Sequence, residues 1–288
     1  MEFAKLEPVE YGWSGDKKYR AWDPEGRCYF LRICPLAREE KLRQAFFFQK
    51  QAAENGLPVS RPLELSKEGD QLLWVEEWLP GDMAEQVLPS LTQNEQYRLG
   101  LQGGEIAKHL HDLPCSPPLT PWEERFGEKI DRKIKMYRSC PLQYEKGDLF
   151  ISYLLENRHL LQGRPQCCQH GDFHVGNMMI QKGKLYVIDF DRPDFGDPWE
   201  EFNRIVWCAQ LSPAFASGMV DGYFEGNPPL EFWKLLALYI SNNALGSLPW
   251  AIPFGDQEIA TMRKQAAEVL EWYDYMRNPV PTWYQSIN

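Results

Sequence analysis

Hydrophobic and polar positions along the chain divide it near residue 80. Before that point, residues 6–11, 17–22 and 27–34 read as short strands. Between the last two, Asp23-Pro24-Glu25-Gly26 reads as a turn, with Pro24 presetting φ and Gly26 accepting a positive one. Pro35 stops the third strand. Residues 38–54 then carry helix formers with Phe46 to Phe48 as the apolar face, and Asn55-Gly56 supplies a C-terminal stop. A further extended run over 71–78 precedes Pro80-Gly81. The pattern predicts a small antiparallel sheet with one inserted helix.

Past residue 80 the helical period takes over. Residues 91–113 read as one long helix despite Gly100, Gly103 and Gly104, small residues that fit the close approach of another element. Further helices are expected over 124–138 and 147–162, after a proline-rich connection at 114–121. Residues 169–191 form a compact non-helical island that ends in a strand over 185–189. The remainder, 198–276, returns to helix with interruptions at Pro213, at 226–229 and at 249–255. The expected division is 1–79 as one lobe and 80–288 as the other, within an α+β fold.

Composition narrows the function classes. At 288 residues the chain has room for about two modest domains without disulfide staples. A net charge of -10 argues against a protein that grips nucleic acid through phosphate neutralisation. The seven cysteines are odd in number, scattered and never spaced C-x-x-C, which fits reduced thiols and a cytoplasmic location. The vicinal pair Cys167-Cys168 fits core packing better than a redox switch. No apolar run approaches the length of a membrane span, so neither a membrane nor a nucleic acid is an expected partner.

The chemistry concentrates in His170-Gly171-Asp172-Phe173-His174-Val175-Gly176-Asn177, followed by Asp189 in Val187-Ile188-Asp189-Phe190-Asp191. A carboxylate, a carboxamide five residues on, and a second carboxylate at the end of a following strand can converge if the chain folds back. Hard oxygen donors of this kind suit Mg²⁺, with Asn177 and Asp189 as ligands and Asp172 available as a base.

The order H-G-D-x-x-x-x-N and then I-D-F resembles the catalytic loop and metal-binding strand of the aminoglycoside phosphotransferase and choline kinase group, within the protein-kinase-like fold. That resemblance implies a small-molecule kinase that transfers the γ-phosphoryl group of ATP or GTP to a hydroxyl. It implies Asp172 as the catalytic residue and Asn177 and Asp189 as Mg²⁺ ligands. It extends upstream: Gly12 to Asp16, with Ser14 and Gly15 at its centre, occupies the position of the loop over the phosphates. Glu77, Trp78 and Leu79 match the hinge that meets the base. Arg32 stands where the family's phosphate-contacting lysine stands, a planar cation in place of a point charge. Glu40 is the expected partner of Arg32 on the helix that follows.

For the acceptor, the expected contacts are His174, Asp191, Asp194, Glu200 and Glu201. From Arg192 to the C-terminus six Lys/Arg stand against twelve Asp/Glu, a net -6, which favours a cationic or neutral acceptor over a polyanion. An aminoglycoside-like antibiotic, an amino alcohol and a sugar all remain open. Two other classes compete: a nucleotide-binding pseudoenzyme, motivated by Arg32, and a metal-dependent hydrolase that uses His170, Asp172 and His174 as an alternating triad.

Overall fold

The computed structural model describes residues 1–10 and 15–285. In chain order the strands are β1 Lys5–Pro8, β2 Lys17–Trp22, β3 Cys28–Pro35, β4 Pro62–Glu68, β5 Gln71–Glu77, β6 Asp82–Met83, β7 Cys167–Gln169, β8 Met178–Gln181, β9 Lys184–Val187 and β10 Asp194–Gly196. The helices are α1 Glu39–Glu54, α2 Ala84–Val87, α3 Gln93–His111, α4 Trp122–Arg138, α5 Asp148–Asn157, α6 Ile205–Leu211, α7 Pro213–Phe224, α8 Leu230–Ala251 and α9 Asp256–Trp272. The chain folds into two compact units. The first contains residues 1–87, 170–172 and 176–193, and the second contains 88–169, 173–175 and 194–288.

The first unit is built on an antiparallel sheet of order β1-β2-β3-β5-β4. Alternation along β3 and β5 gives it two apolar faces. Cys34, Leu72 and Trp74 pack against Leu42, Ala45 and Phe46 of α1, while Ala21, Tyr29, Leu31 and Val75 line the other side. Successive helical positions turn by about 100°, so Phe46 and Phe48 are buried and Phe47 between them is 63% exposed. The turn after β2 forms as its residues dictate: Gly26 has φ +82° and its N–H donates to the Asp23 carbonyl at 3.0 Å. The buried Asp23 carboxylate accepts from the Arg27 N–H, the Arg27 guanidinium and the Tyr29 hydroxyl, locking the hairpin. Strand β4 was not expected. Its sequence, PLELSKE, is mostly exposed or half-buried and lacks a clear apolar alternation, yet it completes the sheet as an edge.

A second, three-stranded sheet of order β6-β8-β9 belongs to the same unit. Its last strand is stitched to the segment before β4: the Val187 N–H donates to the Pro58 carbonyl at 2.9 Å, and the Ser60 N–H donates to the Val187 carbonyl at 3.3 Å.

The second unit is mainly helical. Thr92 caps α3 reciprocally with Glu95, and Pro213 is the first residue of α7, where its missing N–H costs nothing. Pro249 lies in the last turn of α8 without ending the helix earlier. The α3 glycines serve a close approach: a Cβ on Gly100 or Gly104 would collide with the α7 backbone, and one on Gly218 or Gly222 would collide with that of α3. Strands β7 and β10 pair antiparallel. Below them Asp197 is fully buried and accepts from Arg164 in a fork at 2.6 and 2.9 Å and from the Tyr239 hydroxyl at 2.6 Å. All seven cysteines are free thiols, and burial pushes Cys168 up to about 12, as core packing requires. Among the described residues no helix is long and apolar enough to cross a membrane.

Candidate active site

Most of the motif residues lie in the first unit, joined to the sheet. His170 is fully buried, its ring edge-on to Phe190 at 4.6 Å. Its Nε2 lies 3.0 Å from the Ile188 carbonyl, which can only accept, so the ring proton sits on Nε2. Nδ1 then accepts the Asp172 N–H at 3.3 Å. Both ring nitrogens are thereby spent on the main chain, which removes the basis for a metal triad of His170, Asp172 and His174. Among the described residues no group of three or more His, Cys, Asp or Glu is arranged to hold a metal by itself.

Gly171 has φ +80°, and a Cβ there would run into the Arg192 carbonyl. The glycine is what lets the loop that carries Asp172 lie directly on the chain that leaves Asp189. Asn177 donates Nδ2 to the Asp172 carbonyl at 2.9 Å, and its own carbonyl accepts the Ile188 N–H at 3.0 Å. Hydrogen bonds thus run from Asp172 through Asn177 to the residue before Asp189. Asp189 itself has φ +64°, the left-handed conformation that Asp tolerates better than most residues. A carboxylate and a carboxamide oxygen are hard donors of the kind that fits Mg²⁺.

The basic groups around these acids differ from the expected arrangement. Arg32 donates to Asp16 at 2.7 Å, to Asp189 at 2.9 Å and to Asp191 at 2.5 Å. Its guanidinium is held above its usual range, because these carboxylates outweigh the opposing effect of burial. Burial alone would raise Asp191, but Arg32, Arg192 and Arg38 outweigh it and hold the carboxyl below the usual range. Arg38, which sequence reasoning did not single out, shares both Asp16 and Asp191 with Arg32. Glu40 is exposed on the first turn of α1, so the expected Arg32–Glu40 pair is replaced by three aspartates. On α1 the inward position is Gln49, an uncharged residue that donates to the Ser60 carbonyl at 2.8 Å and to the Ser60 hydroxyl at 2.7 Å. Beside it Glu76 is buried, and burial pushes its carboxyl up against the opposing hydrogen bonds from Ser60 and Gln49. Arg192 completes the group, with Nη1 3.3 Å from the Asp172 carboxylate.

The residues expected at a hinge divide by exposure. Glu77 points to solvent and pairs with Arg61 at 3.5 Å, while the Trp78 ring is half-buried beneath the Arg20 guanidinium at 4.7 Å. Leu79 is half-buried and its carbonyl accepts the Gly81 N–H at 3.0 Å. Gly15 is exposed; Ser14, with Gly12 and Trp13, lies outside the described residues.

Of the acceptor candidates, all but Asp191 belong to the second unit. His174 is half-buried between the core residues Phe173 and Val175. Asp191, in the first unit, is taken up by the arginines above. Glu200 is bound by Lys129 at 2.9 Å; burial raises its pKa and the lysine opposes the rise. Glu201 is 2% exposed and faces His111 at 3.6 Å, and exposed Asp194 lies 3.8 Å from Arg125. The acidic run is therefore largely matched by internal cations.

Residues 5–233 match the phosphotransferase enzyme family. No curated protein matches the chain by sequence. Among solved structures, amicoumacin kinase hAmiN with AMP-PNP, Ca²⁺ and Ami superposes with a TM-score of 0.68 at 15% identity, covering 96% of this chain and 90% of that one. A choline/ethanolamine kinase family protein from Mesorhizobium loti gives 0.69 at 17% identity, covering 96% and 91%. A thermostable mutant of aminoglycoside phosphotransferase APH(4)-Ia, in ternary complex with ADP and hygromycin B, gives 0.67 at 17%, covering 93% and 94%. These likenesses establish the two-lobed kinase-like fold.

Proposed function

The chain belongs to the phosphotransferase enzyme family, and from that premise we propose that it transfers the γ-phosphoryl group of ATP or GTP to a hydroxyl of a small molecule. The observation that carries the reading is the run of hydrogen bonds from Asp172 through Asn177 to the Asp189 strand, with Arg32 on the Asp189 carboxylate. In support, fold neighbours hold AMP-PNP or ADP together with an antibiotic.

Asp172 orients the acceptor hydroxyl and takes its proton as the oxygen–phosphorus bond forms; the bond from the γ-phosphorus to the bridging oxygen breaks and the nucleoside diphosphate leaves. Asn177 and Asp189 would hold Mg²⁺, which when bound offsets the charge of the phosphates. Arg192, close to Asp172, supplies a fixed positive charge where negative charge builds up.

A nucleotide-consumption screen against aminoglycosides, macrolides, choline-like amines, sugars and hydroxy acids tests the proposal, with Asp172→Asn as control. Turnover that survives undiminished in Asp172→Asn removes the base. A second reading, nucleotide binding without transfer, is favoured by the engagement of Arg32 with Asp189; Mg²⁺-dependent nucleotide binding with no turnover on any acceptor would establish it.

A further inference from the structure

The sheet of the first unit carries a cation that the transfer chemistry above does not use. Strand register decides which side chains share a face: residues directly opposite on antiparallel strands lie on the same side, and so do positions two apart on one strand. Lys18 of β2 lies opposite Arg32 of β3, and Arg32 lies opposite Trp74 of β5. Trp74 meets Phe46 of α1 edge-on at 5.6 Å, so the face these three share is the one that α1 covers. It is also the face from which Arg32 reaches Asp189 and Asp191.

The neighbours of Lys18 on that face fix its place. Two positions before it, the Asp16 carboxylate accepts from Arg32 at 2.7 Å. Two positions after it, the Arg20 guanidinium lies 4.7 Å over the ring of Trp78, the residue expected to meet the base. Positions two apart on a strand are separated by about 7 Å. Half-buried Lys18 therefore stands between the end of the face expected to meet the base and the end that carries Asp189. The intervening positions turn the other way: Tyr19 and Ala21 pack with Leu31 and Ile33 on the opposite side, and Lys17, opposite Ile33, is exposed.

Phosphates laid along this face would meet little uncommitted positive charge. Arg32 is spent on three aspartates, and Arg38 shares two of them. Two guanidiniums thus stand against three carboxylates, and Arg192 stands at Asp172. Such a group does not attract a polyanion by itself. Lysine carries a compact charge on a flexible four-carbon stem and meets a phosphate as a point charge.

We propose that Lys18 binds the phosphates of the nucleoside triphosphate, supplying from β2 the charge that Arg32 of β3 gives up to its aspartates. The assignment rests on the kinase reading and adds to it a second phosphate-contacting cation, one strand away from the position where the resemblance expects the first.

The full-length protein is titrated by calorimetry with AMP-PNP and with GMP-PNP in the presence of Mg²⁺, and the melting temperature of the nucleotide-free protein is measured alongside. Lys18→Met keeps an unbranched apolar stem and removes the charge; it is expected to weaken binding by about tenfold or more while leaving the nucleotide-free melting temperature unchanged. Lys18→Arg should retain affinity within severalfold, and Lys17→Met, on the other face, should match wild type. Lys18→Met that binds as tightly as wild type overturns the assignment and leaves the kinase reading standing. A weakening that comes with a lower melting temperature and is not restored in Lys18→Arg makes the residue structural and overturns the assignment as well. Wild-type protein that binds neither analogue removes the kinase reading and the assignment with it.

Discussion

The Arg32 guanidinium donates to the Asp189 carboxylate at 2.9 Å, so the group that would meet the phosphates and the group that would meet the metal already hold each other. Arg32 also bridges Asp16 and Asp191, and its side chain is 5% exposed. Removing it leaves three carboxylates without their shared cation. Arg32→Met should therefore destabilise the protein by about 3–5 kcal/mol, the usual cost of breaking a buried ion pair from one side. Urea unfolding measures the loss. A change below about 1 kcal/mol would show that Arg38 alone compensates the cluster.

Arg192 reaches Asp172 from the opposite end of the same acidic group. Its side chain is about half exposed, so its contribution to stability is small, whereas its charge stands beside the proposed base. Arg192→Met should lower kcat by about 10²-fold, the scale for one lost electrostatic donor, with the nucleotide KM moving much less. Steady-state kinetics with the acceptor found in the screen decides it; a change confined to KM would assign Arg192 to nucleotide binding.

Gly171 cannot grow. Its φ of +80° and the Arg192 carbonyl beneath it both oppose a side chain, and the obstacle is backbone. Gly171→Ala should cost about 2–4 kcal/mol from left-handed strain and overpacking together. The melting temperature reports it, and an unchanged value would mean that the loop lies further from residue 192 in solution.

Glu76 makes stability depend on pH. Its folded-state pKa lies above the reference value of 4.5 because burial disfavours the carboxylate. Its contribution is thus fully present below that reference value and is lost as pH rises through the folded-state pKa. Glu76→Gln retains a hydrogen-bonding group opposite Ser60 and Gln49 and removes the titration. The variant should be more stable than wild type at pH 8, and the difference should vanish below about pH 4. Denaturant unfolding across that range measures it, and a difference independent of pH would refute the assignment.

The sheet and the order of motif residues were legible because each depends on local signals: turn chemistry at 23–26, the stop at Pro35, the spacing from Asp172 to Asn177. Strand β4 was not, because its half-buried edge residues carry no alternation. Arg32 was legible as the cation of the third strand, but its partners were not. Asp16, Asp189 and Asp191 reach it from up to 159 positions away, and no local rule favours them over Glu40, eight residues on. Arg38 was overlooked for the same reason: only the folded chain brings it to Asp191. The acidic run after Asp189 was read from charge alone, and its cations Lys129, Arg125 and Arg164 come from elements that precede it.

The backbone-to-backbone seam of α3 and α7 bears on how the helical unit folds. Four glycines at the contact, Gly100, Gly104, Gly218 and Gly222, weaken each helix on its own by about 1 kcal/mol per residue. Neither helix gains from forming first, and their partners are more than a hundred residues apart. The seam ties two distant stretches of the unit into one cooperative step, in which α3 acquires its stability only when α7 arrives.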